Sequence, residues 1–491
     1  MIWSQILSFL FTLGTSYIIG QIFQPSSNIT AARDPGSEQR SRANPRALIN
    51  PLYGRWTTFG QEIYLGANTD NTRGFYGIAL GVIPPGATIT FGNVFADDVR
   101  LTLDADGRVT AGTDPNGNAI DKYNGLLRIV MYAGGRSTIL EALSDWNDTF
   151  TGDRIVYAAV ELDRDREAGL VQLPQIRFTG TSSRNNPADA VQDMITDPRY
   201  GLGKSMDLIG DTFEEHRQYC ATEVAHLTQD GSTTIMAERF TVNGDIITAD
   251  NVVDRCNAIL AHQNATLGFF NGKYEIYANK EYPVTSVTEI DEDWFTTGFE
   301  FAENSASLFT ELQVDYARNE LNQYQPNVLY RDVPTTLQHP SQQARQDTID
   351  LPYCDNFVEA SRVSAQYINE AFTGLTIRVT LDIRGIQLKP QQVVRISSDR
   401  YSFSRKLFQV KEIDEIQSGA TLTYRVLFRE YEPTNYMDDG TIQETDPAPN
   451  IDFIEPSQIA AVNDLTVINV NANAQTHPTC LLYTSPSPRD S

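Results

Sequence analysis

The chain has 491 residues, 41% of them apolar and 21% charged, ordinary values for globular protein and enough for about three or four domains. A formal net charge of -25 and a pI near 4.6 exclude tight nucleic-acid binding, because releasing counterions from phosphates needs clustered Lys and Arg and no basic stripe occurs. The acidity keeps a large protein soluble.

No charged residue precedes Arg33, and residues 2–23 are mostly apolar, with Ser4, Gln5, Ser8, Thr12 and Ser16 at helical spacing. The pattern predicts an apolar N-terminal helix over 1–23, long enough to span a bilayer. It lacks the basic start of a signal peptide. Two readings fit: a helix buried inside an assembly, and a segment that contacts a membrane. Residues 24–47, with Pro25, Pro35 and Pro45, read as a linker.

From 48 to 180 the pattern is β-rich. Phe75–Val82 and Thr88–Val94 flank the turn Pro84-Pro85-Gly86, and Asp104-Ala105-Asp106-Gly107 is a second turn. An α/β segment spans 181–290. Asn186-Pro187 caps a helix with Val191, Met194 and Ile195 on one face, stopped at Asp197-Pro198. Asp211 and Glu214 form a capping-box pattern before a helix to about His226. Thr248 opens a third helix, which runs into the hairpin Leu267–Phe270, Asn271-Gly272, Tyr274–Tyr277. Residues 291–436 are β-rich again, with one helix over 357–372 capped by Asn356. A strand follows with Leu375, Ile377, Val379, Leu381 and Ile383 on one face, then a hairpin of Leu407–Ile416 and Leu422–Phe428. The acidic, Pro-containing stretch 437–456 reads as a linker, and 457–479 as the start of a fibronectin-III-like domain. Residues 480–491 resemble the translation of a transposon-based sequencing adapter, which implies that the natural chain continues past about residue 479.

Few motifs carry chemistry. Gly201-Leu202-Gly203-Lys204-Ser205 resembles a phosphate-binding loop, but Pro198 stands where the motif needs its first glycine and a helix, not a strand, precedes it. Asp114, Asn116, Asn118 and Asp121 alternate like a calcium loop but lack the closing Glu, so they read as a turn. Cys220, Cys256 and Cys354 are odd in number and not at metal-ligand spacing. The five His residues form no HExxH, and no GxSxG elbow occurs. These observations give no catalytic residue, no metal site and no cofactor.

The segment Asp193-Met194-Ile195-Thr196-Asp197-Pro198-Arg199-Tyr200-Gly201-Leu202-Gly203-Lys204 resembles the signature of the tip attachment protein J family, the central tail hubs of long-tailed phages. Further segments are similar to the family's in the same order: Leu52-Tyr53-Gly54-Arg55, Tyr76–Gly81, Arg239-Phe240-Thr241-Val242-Asn243-Gly244, Leu388-Lys389-Pro390 through Ile396, and Glu430–Pro433. The likeness covers about residues 48–436. One departure is Gln391-Gln392, where the family carries Gly-Asp after the proline.

The resemblance implies a mainly β, multidomain fold with an α/β insertion and baseplate-hub-like β-barrel domains. It implies a structural role for Asp193, Pro198, Arg199, Tyr200, Gly201 and Gly203. It also implies a homotrimeric virion protein at the tail tip, made in the host cytoplasm, that closes the tail tube and takes part in host attachment and genome ejection. The implied partners are a distal tail protein, the tape-measure protein, small tail-tip proteins and, through the region missing after 479, a host receptor, with no specific nucleic-acid binding. The competing class is a tail-associated peptidoglycan-degrading enzyme, which needs a pocket of convergent titratable groups.

Overall fold

Alternating apolar residues between Trp56 and Phe178 build two open antiparallel sheets that share one core. The five-stranded sheet runs in the order Arg55–Thr58, Ile176–Ser182, Ile89–Ala96, Val99–Leu103, Val109–Thr113. The four-stranded sheet runs Gln61–Ala67, Arg73–Val82, Ile155–Asp163, Leu127–Ala133. Trp56, Val94 and Phe178 from the first sheet meet Ile78, Ile129 and Val160 from the second. Each large apolar side chain so buried stabilises the fold by about 1.5–3 kcal/mol. The computed structural model describes residues 49–443 except 141–149, 249–250, 286, 303–308, 318–326, 336, 338–344, 373, 419–420 and 439. The apolar segment 2–23, the 24–47 linker, most of the 437–456 linker, the 457–479 strand and residues 480–491 therefore lie outside the described residues.

The expected closed barrels are corrected. The described residues are mainly β, but none of their sheets closes on itself. Closure would need hydrogen-bonded neighbours on both sides of every strand, and Gln61–Ala67 and Val109–Thr113 each lie at a sheet edge. A single isolated bridge, Arg108 to Arg128, links the two sheets on one side. The turn Pro84-Pro85-Gly86 carries the chain from one sheet into the other, and the strands on its two sides are not paired.

The next portion packs α1 (Pro187–Thr196), α2 (Thr212–Ala221) and α3 (Val252–Leu260) against the hairpin of Ala265–Phe270 and Lys273–Ala278. Asn186 caps α1 by accepting from the Ala188 amide, and Val191, Met194 and Ile195 are fully buried. Asn271 and Gly272, both at positive φ, turn the hairpin.

Three helix boundaries differ from expectation. Asp211 is itself helical (φ -69°, ψ -24°) and makes no side-chain cap; the Glu275 carboxylate accepts from the Thr212 amide instead, at 3.3 Å. α2 ends at Ala221 because Thr222 is extended, and His226 lies in the strand Glu223–Leu227, which pairs with Thr234–Glu238. α3 begins at Val252, capped by Asn251, because Thr248 spends its amide and hydroxyl on Asn50.

The last portion holds a six-stranded sheet in the order Thr288–Ile290, Val393–Ser398, Phe403–Ser418, Thr421–Glu430, Thr376–Leu381, Glu300–Ala302. Its ladder between Phe403–Ser418 and Thr421–Glu430 skips a residue between Val410 and Glu412. A three-stranded sheet, Asn327–Asp332, Glu311–Tyr316, Gln346–Leu351, packs on α4 (Phe357–Phe372). Asn356 accepts from the Val358 amide and so caps α4. Ile377, Val379 and Leu381 face the core as expected. Ile383 does not: Asp382 accepts from the Arg384 amide and starts a 3-10 turn over Ile383–Gln387, leaving Ile383 52% exposed.

Candidate functional site

Three of the resembled segments, 52–55, 193–204 and 239–244, far apart in sequence, meet around Tyr53-Gly54-Arg55. Leu52–Tyr53 is a short strand paired with Gly244–Asp245, which sets Tyr53 against α1 and Arg55 against the start of α4. The result is a fastening between the β sandwich and the helical portion.

Asp193 is its centre, 2% exposed on the inner face of α1. Arg184 grips its carboxylate with two bonds, Nε to Oδ2 at 2.6 Å and Nη2 to Oδ1 at 2.8 Å. Tyr53 donates its hydroxyl to Oδ2 at 3.0 Å. With that proton committed, Tyr200 donates to the Tyr53 oxygen, also at 3.0 Å. Burial pushes the Asp193 carboxyl upward against the pull of Arg184, and burial with the neighbouring carboxylate pushes the Tyr53 phenol up. Two donors on a buried carboxylate make a strong, geometrically specific contact.

The rest of the signature shapes the turn after α1. Asp197 accepts from the Arg199 amide at 2.7 Å and from Arg154 Nη2 at 2.7 Å, and Arg154 Nε reaches the Ile83 carbonyl in the sandwich. Arg199 donates to the Asp153 carbonyl. Arg255, from α3, donates to the Tyr200 carbonyl at 2.9 Å. Pro198, Arg199 and Gly203 are surface positions. At Gly201 a Cβ would sit 2.5 Å from the Met194 carbonyl oxygen and 2.8 Å from those of Asp193 and Asp197, so the close approach requires glycine.

The phosphate-loop likeness has a structural explanation here. The amides of Gly201, Leu202 and Lys204 donate to the carbonyls of Asp197, Met194 and Ile195. They satisfy the C-terminal end of α1 and so do not point at an anion. The Asp114 carboxylate is likewise engaged, accepting from the amides of Asn116 and Asn118 as an ordinary turn residue.

A second layer surrounds Gly54 and Arg55. Asn243 Oδ1 accepts from the Arg55 amide at 2.8 Å, and Asn243 Nδ2 donates to Asp355 at 2.7 Å. Arg55 pairs with Asp355 through Nε and Nη2, both at 2.8 Å. Glu359, 3% exposed, accepts from the Thr241 amide and hydroxyl. A cavity of about 290 Å³ opens here, with Arg55, Asn185, Thr241 and Glu359 on its walls.

Burial, then the nearby Asp355, pushes the Glu359 carboxyl up to about 8. A carboxyl with a raised folded pKa adds stability that is fully present below its unfolded pKa and lost as pH rises toward the folded value. This group is therefore expected to cost about 1.4 kcal/mol of stability per pH unit across roughly pH 4.5 to 8. Urea midpoints at pH 5 and 8 should show that slope in the wild type and not in Glu359→Gln. Parallel profiles for the two proteins would refute it.

No family model matches the sequence, and no curated protein matches it. Among solved structures, a chain described as "Virion of native gene transfer agent (GTA) particle" aligns with a TM-score of 0.53 at 15% identity, covering 88% of this chain and 96% of that chain. This chain shares the fold of that virion chain. Two others align with low scores. They are a tail protein from Neisseria meningitidis MC58 (TM-score 0.31, 12% identity, 77% of this chain and 92% of that one) and the prophage MuSo2 43 kDa tail protein from Shewanella oneidensis (TM-score 0.30, 9% identity, 78% and 96%).

Cys220 Sγ lies 3.5 Å from His216 Nε2, a pairing that an activated nucleophile would use. Both are buried, and burial pushes the thiol well up and the imidazole down to about 4. A neutral thiol beside a neutral imidazole, both closed to solvent, is packing. Cys256 and Cys354 are buried with raised pKa values too. Among the described residues no group of three or more His, Cys, Asp or Glu could hold a metal ion.

Sequence reasoning reached Asp193, Tyr200 and Gly201 through the resemblance alone. It missed Arg154, Arg184, Asp355 and Glu359. The Tyr53–Asp193 and Arg55–Asp355 bonds span 140 and 300 residues, and no local pattern announces such partners.

Proposed function

We propose that this chain is a structural virion protein, the central hub of a phage-type tail tip. The observation that carries the reading is the fold shared with a virion chain over 88% of the sequence. The fastening described above supports it, since three of the family-like segments are spent on holding two portions of the chain together. In this role the protein is a homotrimer that closes the tail tube and joins it to receptor-binding modules. It contacts a distal tail protein, the tape-measure protein and smaller tip proteins, and its function rests on large interfaces.

Immunogold labelling of tailed particles with antibody raised against the folded chain tests the location. Label at the distal end of the tail is expected; label confined to the capsid, or none on particles, overturns the proposal. Mass photometry of the purified chain should give a trimer, or a monomer that trimerises when the distal tail protein is added. A stable dimer at high concentration counts against the hub.

A further inference from the structure

Three polar side chains outside the fastening meet in the interior between the hairpin 265–278, α4 and the six-stranded sheet. Lys411 is the residue skipped where the ladder shifts between Val410 and Glu412, and such a bulge re-aims the side chain it frees. Its Nζ donates to Asn279 Oδ1 at 2.7 Å and to Gln391 Oε1 at 3.3 Å. Asn279, 4% exposed, follows the hairpin directly, and its Nδ2 donates to Glu370 Oε2 at 3.4 Å. Glu370, on α4 and 8% exposed, takes the Asn264 amide on its other oxygen at 2.9 Å.

Gln391 belongs to a stretch that departs from the family pattern. It holds φ +62°, a left-handed conformation that side-chain-bearing residues rarely adopt, at the position where the resembled family carries glycine. Its side chain is what reaches the lysine.

The Lys411 residue is partly exposed as a whole, but its ammonium is enclosed. That enclosure pushes its pKa down to about 8, with Glu370 opposing the shift and Arg429 assisting it. Roughly one such lysine in ten is then a free amine at pH 7. An amine held against a buried carboxamide, with a carboxyl on the leaving nitrogen, is the complete set of groups for transamidation.

We propose that Lys411 and Asn279 condense into an intramolecular isopeptide bond, with Glu370 carrying the proton. The neutral Nζ attacks Asn279 Cγ, the new C–N bond forms, and the carbonyl electron pair moves onto Oδ1. A proton released from Nζ passes to the Glu370 carboxylate and from there to Nδ2. The carbonyl reforms, the Cγ–Nδ2 bond breaks, and ammonia leaves. No oxidant or cofactor is needed, and Glu370 is regenerated. The bond ties residues 132 apart in sequence and joins the six-stranded sheet covalently to the hairpin.

Intact-mass spectrometry of the full chain, expressed in bacteria and held at pH 8, tests this. The wild type is expected to be lighter than its sequence by one ammonia, about 17 Da, and to yield a branched tryptic peptide joining Lys411 to Asn279. Glu370→Gln and Asn279→Ala should keep their full mass, with circular dichroism checking that each is folded. Asn279→Asp should condense with loss of water instead, about 18 Da. A folded wild type that keeps its full mass after a week overturns the proposal, as does ammonia loss that persists in either Glu370→Gln or Asn279→Ala.

Discussion

Asp193→Ala is expected to cost about 3–5 kcal/mol of unfolding free energy, the usual loss when one member of a buried ion pair is removed. The reason is what stays behind. Arg184 keeps its guanidinium in a site where side-chain bonds to Asp193 met two of its nitrogens, and the Tyr53 hydroxyl loses its acceptor. Asp193→Asn should cost nearly as much, because the shape survives but the charge does not. Replacing both partners, Asp193→Leu with Arg184→Met, should recover most of the loss, since apolar isosteres remove the unpaired charge. Urea unfolding of the four proteins measures this. A loss under about 1 kcal/mol for the alanine variant would mean that the carboxylate is not the centre of the fastening.

Gly54→Ala is expected to be of similar size, about 3 kcal/mol or more. Gly54 sits at φ +49°, and a Cβ there would overlap the Val242 carbonyl oxygen and Asn243 Oδ1. Backbone cannot swing aside as a side-chain tip can, so Leu52–Tyr53 and Gly244–Asp245 would have to part. Gly272→Ala is the control: it has φ +79° and nothing within 4 Å of the added methyl, so only the left-handed backbone term of about 1–2 kcal/mol remains. If both variants melt alike, close approach at Gly54 contributes nothing.

What the sequence revealed and what it hid separate along physical lines. Features set by neighbours a few residues apart were legible: the Asn186-Pro187 and Asn356 helix starts, the Asn271-Gly272 hairpin, and the alternation of Ile377, Val379 and Leu381. The errors fall where a distant group takes over a local task. Glu275 caps α2 in place of Asp211, and Asn50 removes Thr248 from α3. Sheet closure was invisible because it depends on which edges meet. The site was half legible: the family likeness pointed to Asp193, Tyr200 and Gly201, while Arg184 and Glu359 acquire their roles only by folding. Lys411 was beyond reach for the same reason, since its partner Asn279 lies 132 residues away in sequence.

The strand Leu52–Tyr53 and the Arg55–Asp355 pair impose an order on synthesis. Tyr53 finds its acceptor only after Asp193 exists, its strand partner only after Gly244, and Arg55 its carboxylate 300 positions later. At a translation rate of about 5–20 residues per second, the nascent chain waits roughly 15–60 s between making Arg55 and making Asp355. Through that interval the sandwich can condense on its own core and Tyr53 can dock once Asp193 and Gly244 are made, but Arg55 has no carboxylate partner. Closing so long a loop late makes folding slow. A ribosome pause placed before Asp355 would therefore be expected to trap the chain with its sandwich formed and Tyr53 docked, but with Arg55 unpaired and α4 absent.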